Sequence, residues 1–257
     1  MNDHRVTSNP AWVDRSEPAQ ISAALVDLRD RPEGTRDRQL MLGDQVTLLG
    51  QQGDASYIRA EKDNYHGFVP SHALARPRST THRVATLATH VYADPDFKSA
   101  NLMHLSFGAC VTATSETEGF VETPYGHLPK QHLSSAAVPE TDPVAVAMMF
   151  LGTPYLWGGN SSLGIDCSGL VQAALLACDV PCPADSDLQR TTLGSPLSEG
   201  SQKQSGDLLF WKGHVAMVVD AHTIIHANAH HMATRLEDLK STMARITDKY
   251  LGHIRPF

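Results

Sequence analysis

The sequence predicts a small β domain used twice, followed by an α+β domain with an antiparallel sheet. Three observations carry that reading. From Ile21 onward, short strand-like runs alternate with turn signals. An element of one plan (Gly, an apolar residue before Pro, a polar turn, then His and Leu) occurs as GFVPSHAL near residue 70 and as GHLPKQHL near residue 130. Such a repeat about 60 residues apart indicates an internal duplication. After Ser134–Asp142 the pattern changes to helices first and strands after. At 257 residues the chain is long for one core and comfortable for two or three small ones.

Residues 1–20 are polar, contain Pro10 and Pro18, and read as a loosely ordered arm. The first β domain is expected over 21–78. Its runs are ISAALVDLR, QVTLLGQQ, SYIRAEK and HGFVPSHAL, punctuated by Gly43-Asp44, Gly53-Asp54 and Asp63-Asn64. Alternation at Val46 and Leu48, and at Tyr57 and Arg59, fits half-buried strands. Several short strands in so few residues predict a small barrel or sandwich. The second β domain is expected over 79–135, from His82–Ala93, LMHLSFGACVTATSE around Gly108, and GFVETPYGHLPKQHL.

SSAAVPETD reads as a linker, and the third domain as 136–257. PVAVAMMFLG is a helix with Asp142 as its cap, Pro143 at its first position and Gly152 as its stop. CSGLVQAALLACDV reads as a second, largely buried helix. DLLFW, VAMVVDAH, TIIHANA and GHIRPF are strands rich in Val, Ile and aromatics.

Composition narrows the function. Net charge is 21 − 28 = −7 with the acidic residues scattered, against the clustered Lys and Arg that nucleic acid or an anionic membrane surface requires. No stretch approaches the ~18 apolar residues of a membrane span, and the first residues carry no signal-like apolar core. A cytoplasmic, monomeric protein is the expectation. Cys110, Cys167, Cys178 and Cys182 are too sparse for a disulfide scaffold. Cys178 and Cys182, four apart, offer half a metal site with no second ligand pair in view.

The chemistry concentrates in GTPYLWGGNSSLGIDCSGLVQAALLA, from Gly152 to Ala177. Cys167 stands where a glycine-rich loop meets the buried helix, flanked by Asp166 and Ser168. A thiol at a helix N-terminus feels the macrodipole and unpaired N–H groups, which favour thiolate and can donate to a developing oxyanion. Downstream, His214 opens an apolar strand and His226 lies twelve residues later on the next one. A hairpin brings both imidazoles to one edge of the sheet, His214 to take the thiol proton and His226 to hold its tautomer. Read alone, a Cys before a helix and a His in a strand are more often structural. The same three side chains also suit a zinc ion as ligands.

These residues together resemble the NlpC/P60 family of papain-like cysteine peptidases. Over roughly Val144 to Phe257 the family's markers occur in order: GTPYLWGG, DCSGL, DSDLQ, GDLLFW, GHVAMVV and IIHANA. The resemblance implies an α+β, papain-like catalytic domain preceded by two small bacterial SH3-like (SH3b) barrels, with no cofactor. It implies Cys167 as nucleophile, His214 as base, His226 as orienting residue and Tyr155 beside the nucleophile in support of the oxyanion.

The layout resembles the subfamily that trims recycled murein peptides at the γ-D-glutamyl–diamino acid bond and requires an unblocked N-terminal L-Ala. By that resemblance Asp185 and Ser186 contact the N-terminal residue and the γ-D-Glu region, and Tyr155 and Trp157 wall the site. Asp166 and Ser168 are further substrate contacts, while Tyr65 and Asp37 of the first barrel cap the cleft. Two departures stand: Asp37 occurs where the subfamily more often has Glu, and Ala184 where it commonly has Arg. The rival readings are an acyltransferase or amidase of the same superfamily and a non-catalytic wall-binding module.

Overall fold

The computed structural model describes residues 3–198 and 200–256. Phe257, the end of the expected strand GHIRPF, lies outside the described residues, as do Met1 and Asn2 of the expected arm. The chain divides into two compact units, Met1–Pro139 and Glu140–Phe257.

The first unit contains the duplication, and its strand order shows it. The first copy runs β1 (Glu17–Ile21), β2 (Leu25–Arg29), β3 (Arg36–Met41), β4 (Gln45–Gln52), β5 (Ala55–Ala60), β6 (His66–Pro70) and β7 (Leu74–Ala75), in the sheet order β3-β2-β6-β5-β4-β1-β7. The second runs β8 (His82–Val84), β9 (Ala88–Tyr92), β10 (Asn101–Ser106), β11 (Cys110–Val111), β12 (Ser115–Glu116), β13 (Phe120–Thr123), β14 (Gly126–Pro129) and β15 (Leu133–Ser135). Its sheets are ordered β10-β9-β14-β13-β12 and β11-β8-β15. With β11 and β12 taken as halves of one strand, interrupted at 112–114, the second order is that of the first.

The repeated sequence element has a repeated geometry. Pro70 and Pro129 close their strands at φ/ψ of −57°/131° and −58°/123°, and one 3₁₀ turn follows each, Ser71–Ala73 and Lys130–His132. Proline fixes φ and removes a donor, so the ladder ends there in both copies. The two copies share a core. Leu42 of the first packs with Val84, Val91, Leu105, Val111 and Leu128 of the second, and the Cys110 N–H donates to the Leu42 carbonyl at 2.8 Å.

Three expectations change. ISAALVDLR is two strands with a corner at 22–24. RDRQLM, absent from the expected runs, forms β3: its charge hides its burial, because Arg38 pairs with Asp63 inside the barrel and lies 5.4 Å from the centre of the Tyr65 ring. The N-terminal arm is not loose over most of its length. Trp12 packs edge-on against Tyr57 and Phe68 at centroid distances of 5.3 and 5.0 Å, and β1 begins at Glu17, pairing with β4 and β7. An aromatic side chain that buries its face offsets the entropy of ordering a polar segment.

The second unit is α1 (Pro143–Met149), β16 (Asn160–Ser161), β17 (Gly164–Ile165), α2 (Cys167–Ala177), α3 (Ser186–Thr192), β18 (Leu208–Trp211), β19 (His214–Val218), β20 (Thr223–Asn228), β21 (Ala233–Asp238), α4 (Leu239–Arg245) and β22 (Tyr250–Ile254). The sheet order is β21-β20-β19-β18-β22, all neighbours antiparallel. Asp142 caps α1 by accepting from the Val144 N–H at 2.9 Å. Helix α2 is apolar on most faces because it lies against both α1 and the sheet strands β19 and β20. Among the described residues no helix is long and apolar enough to cross a membrane.

Truncating a half-buried Trp removes apolar burial and two aromatic contacts. Trp12→Ala is expected to destabilise the N-terminal unit by about 2 kcal/mol, read as a lower midpoint in urea; an unchanged midpoint would show that the arm adds nothing.

Candidate active site

Cys167 is the first residue of α2, and Asp166 builds that helix start. One Asp166 oxygen accepts from the Gly169 N–H at 2.7 Å and the Ser168 hydroxyl at 3.0 Å; the other accepts from the Gly158 N–H at 2.8 Å. The carboxylate thereby ties the glycine-rich loop to the helix. Gly169 is dictated by close approach, since a Cβ there would stand 2.5 Å from the Gly159 carbonyl oxygen. The side chains of Asp166 and Ser168, expected at the substrate, are engaged in holding the helix start.

The thiol is buried, and the N–H groups of Val215, Ser168 and Cys167 itself point to its sulfur. Burial, with the Asp166 charge adding to it, pushes the thiol up to about 12 against those donors. Val215 is the neighbour of His214 on β19, so the strand that carries the imidazole also touches the sulfur.

His214 reaches this place through a two-residue hairpin. Trp211 and His214 face each other across β18 and β19, joined by Lys212-Gly213, with Gly213 at φ +76°, where a side chain would be strained. Trp211, itself buried, lies against the imidazole with ring centroids 5.8 Å apart. His214 Nε2 is 2.8 Å from His226 Nδ1. Burial lowers His214 to about 3, with the neighbouring His226 and Arg245 adding to it. His226 is 1 % exposed and is likewise lowered by burial.

The chain of contacts continues beyond the residues legible in the sequence. His226 Nε2 lies 2.5 Å from Glu237 Oε2, and the Arg245 guanidinium donates to both oxygens of Glu237 at 2.6 and 2.8 Å. His231 stands 3.3 Å from the same carboxylate. Hairpin register places Glu237 there: Arg235 is opposite His226, which sets residue 237 diagonal to it on the same face.

Tyr155 is held by its N–H to the Met232 carbonyl, 3.0 Å, and by a bridge to Ile165. Burial, with the charges of Cys167 and Asp166 adding to it, raises its hydroxyl, which stays protonated. Asp185 is the residue before α3; burial raises Asp166, and the Asp185 charge adds to it. Ser186 opens α3. Gln189, the last residue of DSDLQ, is fully buried and donates to the Ser168 and Pro183 carbonyls at 2.9 and 3.0 Å, fixing α3 to the start of α2. Trp157 is 69 % exposed and so offers an uncovered ring.

Tyr65 and Asp37 belong to the N-terminal unit. Tyr65 is buried, and Asp37 lies 3.5 Å from His4 Nε2. Among the described residues no cluster of three or more His, Cys, Asp or Glu side chains is arranged to hold a metal ion, and no two cysteines are joined in a disulfide.

A buried thiol at a helix start, set against a strand-borne pair of imidazoles, defines the C-terminal unit as a papain-like cysteine peptidase domain. Residues 152–253 match the NlpC/P60 family and residues 28–74 the bacterial dipeptidyl-peptidase Sh3 domain. The chain thus carries an NlpC/P60 cysteine peptidase domain with a bacterial SH3 domain ahead of it.

It is 29 % identical to a gamma-D-glutamyl-L-lysine dipeptidyl-peptidase of Bacillus subtilis (strain 168), over 74 % of this chain and 71 % of that one. It is 42 % identical to dipeptidyl-peptidase 6 of Lysinibacillus sphaericus over 87 residues, which span 33 % of this chain and 31 % of that protein. A crystal structure of an NlpC/P60 family protein from Bacillus cereus ATCC 10987 superposes with a TM-score of 0.79 at 21 % identity, over 93 % of this chain and 99 % of that one, a likeness of fold.

The lowered imidazoles fix the sign of a pH effect. A His whose value is depressed below the ordinary 6.5 keeps its base form throughout the window between the two, and loses it only below. The acid limb of kcat/KM is therefore expected below pH 6.5; an acid limb centred above that value would contradict the buried, neutral pair.

Proposed function

We propose that the protein is a dipeptidyl peptidase acting on murein stem peptides with an unblocked N-terminal L-Ala, hydrolysing the γ-D-glutamyl–diamino acid bond and releasing L-Ala-D-Glu. The observation that carries this reading is the union, in one chain, of a dipeptidyl-peptidase SH3 domain with an NlpC/P60 domain. The names of the Bacillus subtilis and Lysinibacillus relatives support it. A monomer working in the cytoplasm on recycled peptide, without a cofactor and apart from nucleic acid or membrane, fits this reading.

In the proposed reaction His214 Nδ1 takes the Cys167 proton as the sulfur adds to the scissile carbonyl. The oxyanion accepts from N–H groups at the start of α2 and from the Tyr155 hydroxyl. His214 then gives its proton to the leaving amine of the diamino acid, and the C–N bond breaks to leave a thioester. Water, deprotonated by His214, cleaves the thioester, and the returned proton restores the thiol. His226 keeps His214 in one orientation. Asp185 and Ser186 receive the ammonium and the γ-D-Glu region, and Trp157 walls the cleft. Asp166 acts chiefly through the helix start that presents the sulfur, and Ser168 supports it there.

Mass spectrometry of the protein with L-Ala-γ-D-Glu-diaminopimelate, with L-Ala-γ-D-Glu-L-Lys and with their N-acetylated twins tests this. Release of L-Ala-D-Glu from the unblocked peptides alone is expected, and its loss in Cys167→Ala with unchanged circular dichroism. Cleavage of blocked and unblocked peptides alike would remove the amine-reading role of Asp185. Cleavage of neither, with Cys167 still alkylated by iodoacetamide, would favour acyl transfer to another acceptor.

A further inference from the structure

The carboxylate behind His226 has no role in the reaction just described, and its hydrogen bonds are unusually constrained. We propose that Glu237, held by Arg245, is a positioning residue that fixes the tautomers of both His226 and His214 and so decides which nitrogen of His214 is the base. The proposal rests on the assignment of these histidines to the peptidase site.

The argument is a chain of donors and acceptors. Arg245 has only donors, and it spends them on both oxygens of Glu237 at 2.6 and 2.8 Å. Against the burial that raises it, hydrogen bonds from His226, His231 and Arg245 hold Glu237 down at about 2, so it is an ionised acceptor at neutral pH. Its partner at 2.5 Å, His226 Nε2, must then carry the proton. In a neutral imidazole the other nitrogen is an acceptor. His226 Nδ1 therefore accepts, and His214 Nε2, 2.8 Å away, must donate. The remaining nitrogen of His214, Nδ1, is left bare to take the Cys167 proton.

The reverse state shows what Arg245 adds. If His226 were an imidazolium, its Nδ1–H would donate to His214 Nε2, and His214 would carry its proton on Nδ1, where a base is needed. Burial of His226 opposes that imidazolium, the partly buried carboxylate beside it favours it, and the guanidinium adds to the opposition. The groups facing His226 are His214 on β19, Glu237 on β21, Arg245 on α4 and His231 in the turn, with the exposed Arg235 opposite on β21. Helix α2, packed on the other side of β20, carries no Lys, Arg, Asp or Glu.

Glu237→Gln separates geometry from tautomer. Arg245 would claim the amide oxygen, turning the NH₂ group toward His226 Nε2; that donor reverses both histidines and puts a proton on His214 Nδ1. A triad whose orienting carboxylate becomes an amide can lose up to about 10⁴ in rate with its geometry intact, and a loss of roughly 10²–10⁴ in kcat is expected here.

The direct test is long-range ¹H–¹⁵N NMR of imidazole-labelled protein near pH 7.5, with His214 and His226 assigned from His214→Gln and His226→Gln. It needs no peptide, so it stands apart from the substrate reading. Both histidines are expected as neutral Nε2–H tautomers in the wild type, as Nδ1–H tautomers in Glu237→Gln, and His226 as an imidazolium to higher pH in Arg245→Met. An Nδ1–H tautomer for either histidine in the wild type would overturn the proposal whether or not the variants fold. So would a folded Glu237→Gln that keeps both Nε2–H tautomers and alkylates Cys167 with iodoacetamide at the wild-type rate.

Discussion

The hydrogen bond between His214 and His226 is the constraint on which the catalytic unit turns, because it couples strand register to chemistry. The rings meet at 2.8 Å only while β19 and β20 pair as they do, with Met217 opposite Ile225 and Val218 opposite Ile224. A slip of one residue would send every side chain of a strand to the other face. The apolar residues that pin the register, among them Val215, Met217, Val218, Ile224 and Ile225, are all fully buried. Core packing and active-site geometry are thus one requirement here.

The dryness that sharpens this bond also sets its electrostatics. A lone thiolate or a lone imidazolium in the site would be poorly solvated, and burial accordingly moves Cys167 up and His214 down. Both move toward a neutral thiol and a neutral base at rest. In the proposed reaction charge develops only during attack, where the helix-start N–H groups and the Tyr155 hydroxyl would meet it. Asp166, though tied to two backbone N–H groups and the Ser168 hydroxyl, still adds its charge to the burial that opposes the thiolate at rest.

Much of this was legible in the sequence, for reasons that differ by residue. The helix start at Cys167 was legible because Asp-Cys-Ser-Gly is a cap followed by a buried helix, and the meeting of His214 with His226 because a glycine hairpin precedes an apolar strand. The duplication is visible where proline and the following turn repeat. Glu237 and Arg245 were not legible: their meaning depends on hairpin register and on the placement of α4, and neither leaves a local pattern. Strand β3 was hidden because its burial is carried by Arg38 and Asp63 rather than by apolar residues. The arm was misread because one aromatic, Trp12, outweighs a polar composition.

The central claim, that Cys167 attacks and His214 serves it, is most directly tested by trapping the acyl-enzyme. Unblocked stem peptide is mixed with the protein, quenched in acid within milliseconds to seconds, and digested for mass spectrometry. The account predicts an L-Ala-γ-D-glutamyl adduct on the peptide containing Cys167 and on no other cysteine, absent in Cys167→Ala. Product accumulating with no adduct at Cys167, or an adduct on Cys110, Cys178 or Cys182, would contradict it.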